Sequence, residues 1–410
     1  MTQIRPFAGV RYRLAADELG RALAPPYDVI TSEERQALLA AHPRNAVRLV
    51  LAESADAAGY AAAGETFRRW LGEGVLAPEA EPALYLLEQR FAAEGGGQLT
   101  RRGLLARFRA EDPERRVVLP HENTRKAPKE DRWRLLQAAK ANYSPIFVMF
   151  ADPERGFAAL AGAVAAAPPA VRCTTGDGVE QRLWVVSDPG PVAAFEALLG
   201  PVPAYIADGH HRYSTALRYR DANGPDGAWT LGYFTPIDDP GMLVLPYHRI
   251  LASGPDAGAA RAALAPHFEL VDAAGPEAAA RAAGASRARW AFGLAWPGGA
   301  AVVAESKPSL ESLIPADTPP SLRTLDPWVF HGVVLDRLLG VSDDAVDYVH
   351  SLREAVAAVA SGRCSLAGLM RPTPVDQIVA VAEAGESMPA KSTFFHPKLP
   401  SGLVIHPLLV

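Results

Sequence analysis

Apolar runs of strand length and amphipathic helical segments alternate along the chain, a pattern typical of a mixed α/β fold. Their β-branched and aromatic residues favour buried strands at 146–150, 183–186, 204–207 and 229–237. Helical periodicity predicts helices at 31–41, 56–72, 191–199 and 212–221. Nearer the C-terminus, the pattern predicts a helical Ala- and Gly-rich stretch at 253–287, a hairpin at 290–304 and helices at 326–339 and 345–360.

The length of 410 residues exceeds what one ordinary hydrophobic core organises, so we expect more than one domain. The pattern of elements divides the chain into an N-terminal α/β part at 1–180, a small core at 181–252 and a C-terminal α/β part at 253–410. The Ala- and Gly-rich stretch that follows residue 253 marks the second boundary.

Composition excludes several classes of protein. The chain is 49% hydrophobic and 21% charged with a net charge of -5, so it lacks the basic excess that non-specific nucleic-acid binding requires. Its two cysteines, Cys173 and Cys364, lie far apart, which argues against a disulfide framework and favours a reducing, cytoplasmic location. No segment approaches 18 consecutive apolar residues, so we expect no membrane partner.

The segment P-A-Y-I-A-D-G-H-H-R-Y-S-T-A-L-R-Y at 203–219 is the most informative of the chain. It predicts a short buried strand, a break at the Asp-Gly pair and a helix, which together bring backbone N–H groups and the positive end of the helix dipole to one point. An arginine fork and a glycine next to them suit a phosphate. Alternatively, the Asp-Gly pair is an ordinary turn and the acid only caps the helix. The residues that this segment offers to a ligand are Asp208, Gly209, His210, His211, Arg212, Ser214 and Thr215.

Three further segments place polar side chains where strands end. His121, Glu122 and Arg125 follow the apolar triplet 117–119 and precede a helix that starts near Pro128, so they could act as acid, base or phosphate ligands. A second His-Arg pair, His248 and Arg249, follows the strand predicted at 242–245. Lys391 lies in the tail 388–398, which either folds back over an anionic ligand or is an ordered C-terminal segment.

The common nucleotide and hydrolase motifs are missing from the sequence. It contains neither a GxxxxGK[ST] loop nor a GxGxxG motif after the first strand, and neither HExxH nor GxSxG occurs. Adjacent histidines such as His210 and His211 point in different directions on a helix, so they make a poor chelating pair for zinc. A phosphate site in this chain would therefore be of a less common type.

Seven motifs, taken together, resemble the bacterial and archaeal family catalogued as domain of unknown function 1015, over essentially the whole chain. They are R-P-F-A-G-V-R-Y, A-P-P-Y-D-V-I, P-H-E-N-T-R, A-N-Y-S-P-I-F, A-D-G-H-H-R-Y-S-T-A-L, L-P-Y-H-R and K-S-T-F-F-H-P-K-L-P-S-G-L. More distantly, the order of elements at 183–237 is similar to the core of the ParB/sulfiredoxin superfamily, where a G-x-x-R turn at a helix start binds nucleotide phosphates. The implied fold is a ParB/sulfiredoxin-like core with N-terminal and C-terminal elaborations.

The superfamily resemblance implies roles for individual residues. His210 stands where sulfiredoxins carry a cysteine, which excludes peroxiredoxin repair. The branch with a D-G-H-x-R type of motif includes kinases of free serine, and it implies Gly209, His211 and Arg212 as phosphate contacts and Asp208 as a base or Mg²⁺ ligand. Those kinases have a catalytic glutamate upstream in sequence; Glu122 is our candidate for it, without a motif match.

These observations predict a nucleotide-dependent phosphotransferase that acts on a small hydroxylated metabolite, with free L-serine as the first candidate. It would use ATP or ADP with Mg²⁺, bind no specific nucleic acid, and could form a homodimer. The predicted catalytic residues are Asp208, Glu122 and His210, and the predicted phosphate contacts are Gly209, His211, Arg212, Ser214, Thr215, His121, Arg125, His248, Arg249 and Lys391. The alternatives are a nucleotide-binding regulator of the ParB type without metabolic turnover, and a hydrolase that uses water in place of the acceptor.

Overall fold

A computed structural model describes residues 1–93, 96–124 and 126–408, with the backbone alone at Asp343. Its internal contacts divide the chain into two compact units. The first unit comprises Met1–Pro120, Thr124–Met242 and the segment from Pro397 onwards. The second comprises His121–Asn123 and Leu243–His396.

The first unit combines one large sheet with helices. Its strands are β1 (Ile4–Arg5), β2 (Val10–Tyr12), β3 (Leu76–Pro78), β4 (Leu84–Ala92), β5 (Gln98–Arg109), β6 (Val118–Leu119), β7 (Ala141–Asn142), β8 (Ile146–Phe150), β9 (Val171–Thr174), β10 (Glu180–Val186), β11 (Ala204–Asp208) and β12 (Trp229–Pro236). Its helices are α1 (Ala16–Ala22), α2 (Ser32–Ala41), α3 (Val47–Val50), α4 (Ala57–Gly72), α5 (Lys126–Ala139), α6 (Gly156–Ala165), α7 (Pro189–Leu199) and α8 (His210–Asn223). A 3₁₀ turn spans Tyr27–Val29, and a last short strand, His406–Pro407, pairs with β7.

The large sheet places β11 and the start of α8 near one edge. Its strand order is β6-β11-β8-β12-β5-β4-β10-β9, with β1 paired to β5. β11 runs parallel to β6 and antiparallel to β8, and β12 runs parallel to β8. Ile206 of β11 and Val148 of β8 are fully buried in the core, as the apolar strand pattern requires.

Helix α8 is fixed to this core by Tyr213. The ring of Tyr213 is buried, and its hydroxyl donates to the backbone oxygen of Glu111 and accepts from the backbone N–H of the same residue at 2.9 Å. A fixed helix start holds the side chains around it in one place, which a ligand site needs.

The second unit is built around an antiparallel sheet. Its strands are β13 (Leu243–Leu245), β14 (His248–Leu251), β15 (Phe268–Asp272), β16 (Ala291–Ala295), β17 (Ala301–Ser306), β18 (Val346–Val349), β19 (Leu366–Leu369) and β20 (Phe394–His396). Its helices are α9 (Ala257–Leu264), α10 (Pro276–Ala285), α11 (Pro320–Arg323), α12 (Asp326–Val329), α13 (Leu352–Ala360) and α14 (Val375–Ala384), and a π-helix spans Phe330–Leu338. The sheet order is β15-β17-β16-β19-β14-β18, and β13 pairs with β20.

The predicted mixed α/β class is confirmed, and two helix predictions are wrong in part. The stretch 346–351 is not helical, because Val346–Val349 forms β18 and pairs with β14; α13 begins only at Leu352. The stretch 253–287 contains β15 between its two helices, because Phe268–Asp272 pairs with β17. Within the described residues, no helix has the length and apolar character needed to cross a membrane.

The proposed three-part division of the chain, with boundaries at 180 and 252, stays a proposal, as does the ParB/sulfiredoxin likeness of the core. The internal contacts group the chain at other points, because β10 starts at Glu180 and pairs with β4 along its whole length.

Candidate functional site

The turn between β11 and α8, residues 208–212, has the backbone shape that the Asp-Gly pair suggests. Gly209 has φ 95° and ψ 27°, a left-handed conformation that residues with a side chain adopt at a cost. A Cβ at this position would lie 3.0 Å from three atoms of the Arg212 guanidinium. Glycine therefore serves both the turn and the close approach of the arginine, and we call 208–212 the Gly209 turn.

Ion pairs organise the Gly209 turn. One carboxylate oxygen, Oδ2 of Asp208, lies 3.2 Å from Nη2 of Arg212 and 3.4 Å from Nζ of Lys398. The side chains of Asp208, Arg212 and Lys398 are 20%, 12% and 11% exposed, respectively. The other terminal nitrogen of Arg212, Nη1, donates to the backbone oxygen of Pro145. Arg212 is thus held from two sides directly over the start of α8.

These cations keep Asp208 ionised. Burial alone would raise the pKa of the Asp208 carboxyl, but the charges of Lys398, Arg212 and His210 outweigh burial and hold it well below its usual range. A carboxylate this acidic accepts a proton poorly at neutral pH, because a general base works best with a pKa near the working pH. The electrostatics favour Asp208 as a fixed negative charge or metal ligand rather than as a base.

A third cation, Arg101 of β5, lies near this cluster and is fully buried. Its guanidinium donates to Oε1 of Gln89 and to the backbone oxygen of Pro397, and its Cζ lies 4.7 Å from the centre of the Phe147 ring. Burial lowers the pKa of Arg101, while Tyr233, Asp239 and, less strongly, Asp208 raise it. Arg101 therefore shares the environment of Asp208 with Arg212 and Lys398, and Asp239 adds a second carboxylate to the surroundings of Arg101.

The other predicted residues at the Gly209 turn and in the first turns of α8 differ in their surroundings. His210 is 6% exposed, whereas His211 and Ser214 are partly exposed. The hydroxyl of Thr215 donates to the backbone oxygen of His211 at 2.8 Å, a bond within the helix that explains Thr215 without a ligand. The structure thus brings three of the predicted residues together: Asp208 and Arg212 form an ion pair, and the Arg212 guanidinium lies next to Gly209.

The remaining predicted residues lie in the second unit, except Arg125, which is outside the described residues. His121 and Glu122 belong to a short segment that pairs with Met388, whose N–H donates to the backbone oxygen of His121 at 2.8 Å. Arg249 of β14 is fully buried, and its Nε donates to Nε2 of His331 at 3.1 Å.

Lys391 and His248 have structural contacts of their own. Nζ of Lys391 lies 3.4 Å from the Tyr247 hydroxyl, and its backbone has a φ of 59°, which is uncommon for a residue with a side chain. Nδ1 of His248 accepts from the backbone N–H of Met370 at 3.1 Å. Packing within the second unit accounts for both residues, and their role as anion ligands remains a proposal.

Sequence reasoning missed Lys398 and Arg101. The tail motif that contains Lys398 was visible as a lysine among aromatic residues, but nothing in the pattern distinguished it from Lys391. Arg101 lies in a strand whose alternation predicts an outward side chain, and the returning chain at Pro397 helps to cover it. A contact between residues almost 300 positions apart has no local signal.

Replacing Gly209 with alanine is expected to lower the free energy of unfolding by about 1–2 kcal/mol, since the left-handed backbone is strained with a Cβ. The new methyl group also displaces the Arg212 guanidinium, so ADP affinity measured by calorimetry should fall as well. Gly385→Ala is the matched control, because Gly385 has φ 71° and ψ 18° and an added Cβ there would meet no neighbouring atom within 4 Å. Equal ADP affinity in the two variants would contradict the assignment of Arg212.

We expect the buried His248 to make the stability of the protein depend on pH. Burial, followed by the charges of Arg249 and His350, lowers the pKa of His248 to about 4. The imidazole of His248 binds a proton less readily in the folded than in the unfolded state. The folded state therefore keeps its full stability above the unfolded pKa near 6.5 and loses stability as the pH falls toward 4. We expect a loss of about 3 kcal/mol over that range, measured by urea unfolding, and a shallower slope in His248→Gln. The same dependence of the free energy of unfolding on pH in the wild type and in His248→Gln would contradict this role of His248.

The solved structures that match this chain have low sequence identity to it and low TM-scores. A conserved hypothetical protein from Pyrococcus furiosus is 14% identical, with 70% of this chain and 90% of that chain covered and a TM-score of 0.35. A free serine kinase in complex with AMP is 14% identical, with 70% and 88% covered and a TM-score of 0.34. SbnI with a C-terminal truncation, from Staphylococcus aureus, is 11% identical, with 71% and 84% covered and a TM-score of 0.37. Values this low carry no conclusion about fold or activity.

Sequence comparison gives the family. No curated protein sequence matches the chain significantly. The family model described as protein of unknown function (DUF1015) matches residues 4–328, which include the whole Gly209 turn and most of both units. The motifs that suggested this family are therefore confirmed as a set, and the chain belongs to the DUF1015 family.

Proposed function

We propose that the Gly209 turn binds the phosphate groups of a nucleotide and that the protein transfers a phosphoryl group to the hydroxyl of a small metabolite. One observation carries the proposal: the Arg212 guanidinium lies against the backbone of Gly209 at the start of the fourteen-residue helix α8. Gly209 offers no side chain to cap that helix. The first-turn N–H groups, the helix dipole and the arginine thus favour an anion at the same place.

Arg212 retains the capacity to bind an anion. A guanidinium has five N–H donors, and within the described residues Arg212 uses one on Asp208 and one on Pro145. The three other donors can bind phosphate oxygens, for which the planar fork is well suited. Lys398 adds a second positive charge 3.4 Å from the same carboxylate.

One oxygen of the Asp208 carboxylate, Oδ1, is suited to bind Mg²⁺. The ion pairs of Asp208 use Oδ2, so Oδ1 can serve a metal ion. Mg²⁺ commonly takes one or two protein carboxylates and completes its octahedral shell with phosphate oxygens and water. Bound there, the ion would neutralise charge on the phosphate oxygens. The metal therefore fits as a companion of the nucleotide.

The reaction requires little covalent chemistry from the protein. The acceptor oxygen forms a bond to the terminal phosphorus, the bond from phosphorus to the bridging oxygen breaks, and a nucleotide shorter by one phosphate leaves. The hydroxyl proton passes to a base, for which Glu122 remains the proposed residue. Arg212 and the Gly209 turn hold the phosphate groups in position, which accounts for most of the catalysis in such reactions. Free serine is the first acceptor to test, because the D-G-H-x-R type of motif resembles that of serine kinases.

A nucleotide-binding regulator without turnover is the second candidate, and the acidity of Asp208 favours it. The charges of Lys398 and Arg212 help to hold the pKa of Asp208 so low that this carboxylate cannot take the acceptor proton efficiently at neutral pH. A site that binds phosphate without an effective base would hold a nucleotide and leave it unchanged. Nucleotide binding without a phosphorylated product would identify this case.

Phosphorus NMR of the purified protein with Mg²⁺ and ATP, ADP or CTP, each with and without L-serine, tests the proposal. A new phosphomonoester signal that requires serine would identify both donor and acceptor. Loss of nucleotide without dependence on serine would favour hydrolysis instead. Unchanged spectra with every donor would overturn the phosphotransferase proposal with serine as acceptor.

A further inference from the structure

A cavity of about 60 Å³ lies beside Arg212, and the described residues that line it all belong to the first unit. Since one water-sized group needs about 10–15 Å³ of such space, the cavity has room for roughly four to six of these groups. Its polar lining consists of Tyr27, Arg132, Asn142, Ser144, Arg212 and Thr215, with Tyr143 and Thr230 completing the hydroxyl groups. This volume suits a small metabolite.

The charges that line the cavity are all positive. Arg132 and Arg212 are among its lining residues, and of the residues described there none is acidic. Leu135, Leu136 and Ile146 supply an apolar part of the wall. A small anion with a carbon skeleton matches this lining better than inorganic phosphate, which has no apolar surface to bury.

Arg132 is held rigidly at this cavity. It is 8% exposed, and its Cζ lies 3.8 Å from the centre of the Tyr27 ring. Nε donates to Oδ2 of Asp131 at 2.7 Å, Nη1 donates to the backbone oxygen of Val50 at 2.8 Å, and Nη2 donates to the same carboxylate. Tyr60 in turn fixes Asp131 with a hydrogen bond of 2.6 Å. Two N–H donors of Arg132 thus remain for a ligand among the described residues.

Tyr27 is positioned by the two prolines that precede it and by the arginine above its ring. Burial raises the pKa of Tyr27 to about 12, and Asp28 adds to the increase, while Arg132 and Arg212 oppose it. The hydroxyl therefore keeps its proton at neutral pH and can donate to a carboxylate. Ser144, whose hydroxyl lies 2.6 Å from that of Ser401, is held in place by the C-terminal segment.

We propose that this cavity binds a small hydroxylated carboxylic acid, and that Arg132 and Tyr27 recognise its carboxylate. Because Arg212 contributes both to the Gly209 turn and to the cavity lining, such an acid lies next to the proposed phosphate position. Its role as the phosphoryl acceptor rests on the proposed function; its binding does not.

Calorimetric titration with L-serine and D-glycerate, and with their analogues L-serinamide and glycerol, which lack the carboxylate, tests this inference in the full-length protein. The two acids should bind at least about tenfold more tightly than the analogues, since a hydrogen bond to a charged group is worth that much. Tyr27→Phe removes only the hydroxyl and should weaken acid binding about tenfold for the same reason. Tyr219→Phe, a buried tyrosine on α8 that is absent from the cavity lining, is the control and should change nothing.

Titration of the same proteins with ADP and with inorganic phosphate separates this inference from the proposed function. Equal affinity for the acids and their analogues, an unchanged Tyr27→Phe variant, or displacement of the acids by inorganic phosphate alone would overturn the cavity inference. Binding of ADP without either acid would also overturn it and would leave the nucleotide site standing. Binding of the acids without any nucleotide would support the cavity and overturn the phosphotransferase.

Discussion

Replacing Arg212 with alanine is expected to lower the affinity for ADP about 100-fold. The guanidinium lies against the Gly209 backbone, and removing one partner of a nearly buried, charge-assisted contact commonly costs about 2–5 kcal/mol. Arg212→Lys should recover part of this loss, because it keeps the charge but not the planar fork. Calorimetric titration of folded variants measures both effects.

The control for this change lies on the same helix. Arg218 pairs with Glu130 at 2.8 Å, and its side chain is 51% exposed, so Arg218→Ala removes a positive charge from α8 without touching the Gly209 turn. Its ADP affinity should stay within about twofold of the wild type, since exposed ion pairs contribute little. Equal losses in Arg212→Ala and Arg218→Ala would mean that the helix contributes only general positive charge.

Replacing Asp208 with asparagine is expected to change turnover and binding in opposite directions. Mg²⁺-dependent turnover should fall at least about 100-fold, because the variant loses the carboxylate that is proposed to bind the metal ion. Affinity for metal-free ADP should rise, because Arg212 and Lys398 are then no longer neutralised by the carboxylate. Turnover that survives in a folded Asp208→Asn variant would contradict the assignment of Asp208 as a ligand of Mg²⁺.

The same variant should also reveal Asp208 in the pH dependence of stability. Because the pKa of Asp208 is depressed in the folded state, its stabilisation is present above the unfolded value of about 3.9 and is lost as the pH falls below it. At pH 7, Asp208→Asn should be less stable than the wild type by about 2–3 kcal/mol. This is somewhat less than the loss expected for breaking a fully buried ion pair, because Asp208 is partly exposed. Asp221→Asn, on the same helix and 65% exposed, should change little.

The sequence predicted the strand-turn-helix around Gly209 because every signal there is local. The apolar run 204–207, the Asp-Gly break and the helical residues that follow each act over a few positions, and the structure has β11 at Ala204–Asp208 and α8 at His210–Asn223. The pairing of Asp208 with Arg212 is also local, since the two residues lie one helical turn apart.

The parts that sequence reasoning could not predict depend on distant segments. Lys398 reaches Asp208 only because the chain returns to the first unit at Pro397. The cavity beside Arg212 requires the Tyr27–Val29 turn and α5 to approach each other, and no periodicity specifies such an approach. The strand Val346–Val349 was assigned to a helix because its alternation is only four residues long, and pairing with β14 decides its conformation.

A crystal structure of the protein with ADP and Mg²⁺ tests the central claim most directly. We expect phosphate oxygens within hydrogen-bond distance of the Arg212 guanidinium and of the first N–H groups of α8, with the metal ion next to Oδ1 of Asp208. A nucleotide bound elsewhere in the protein, with the Gly209 turn free of phosphate, would contradict the account.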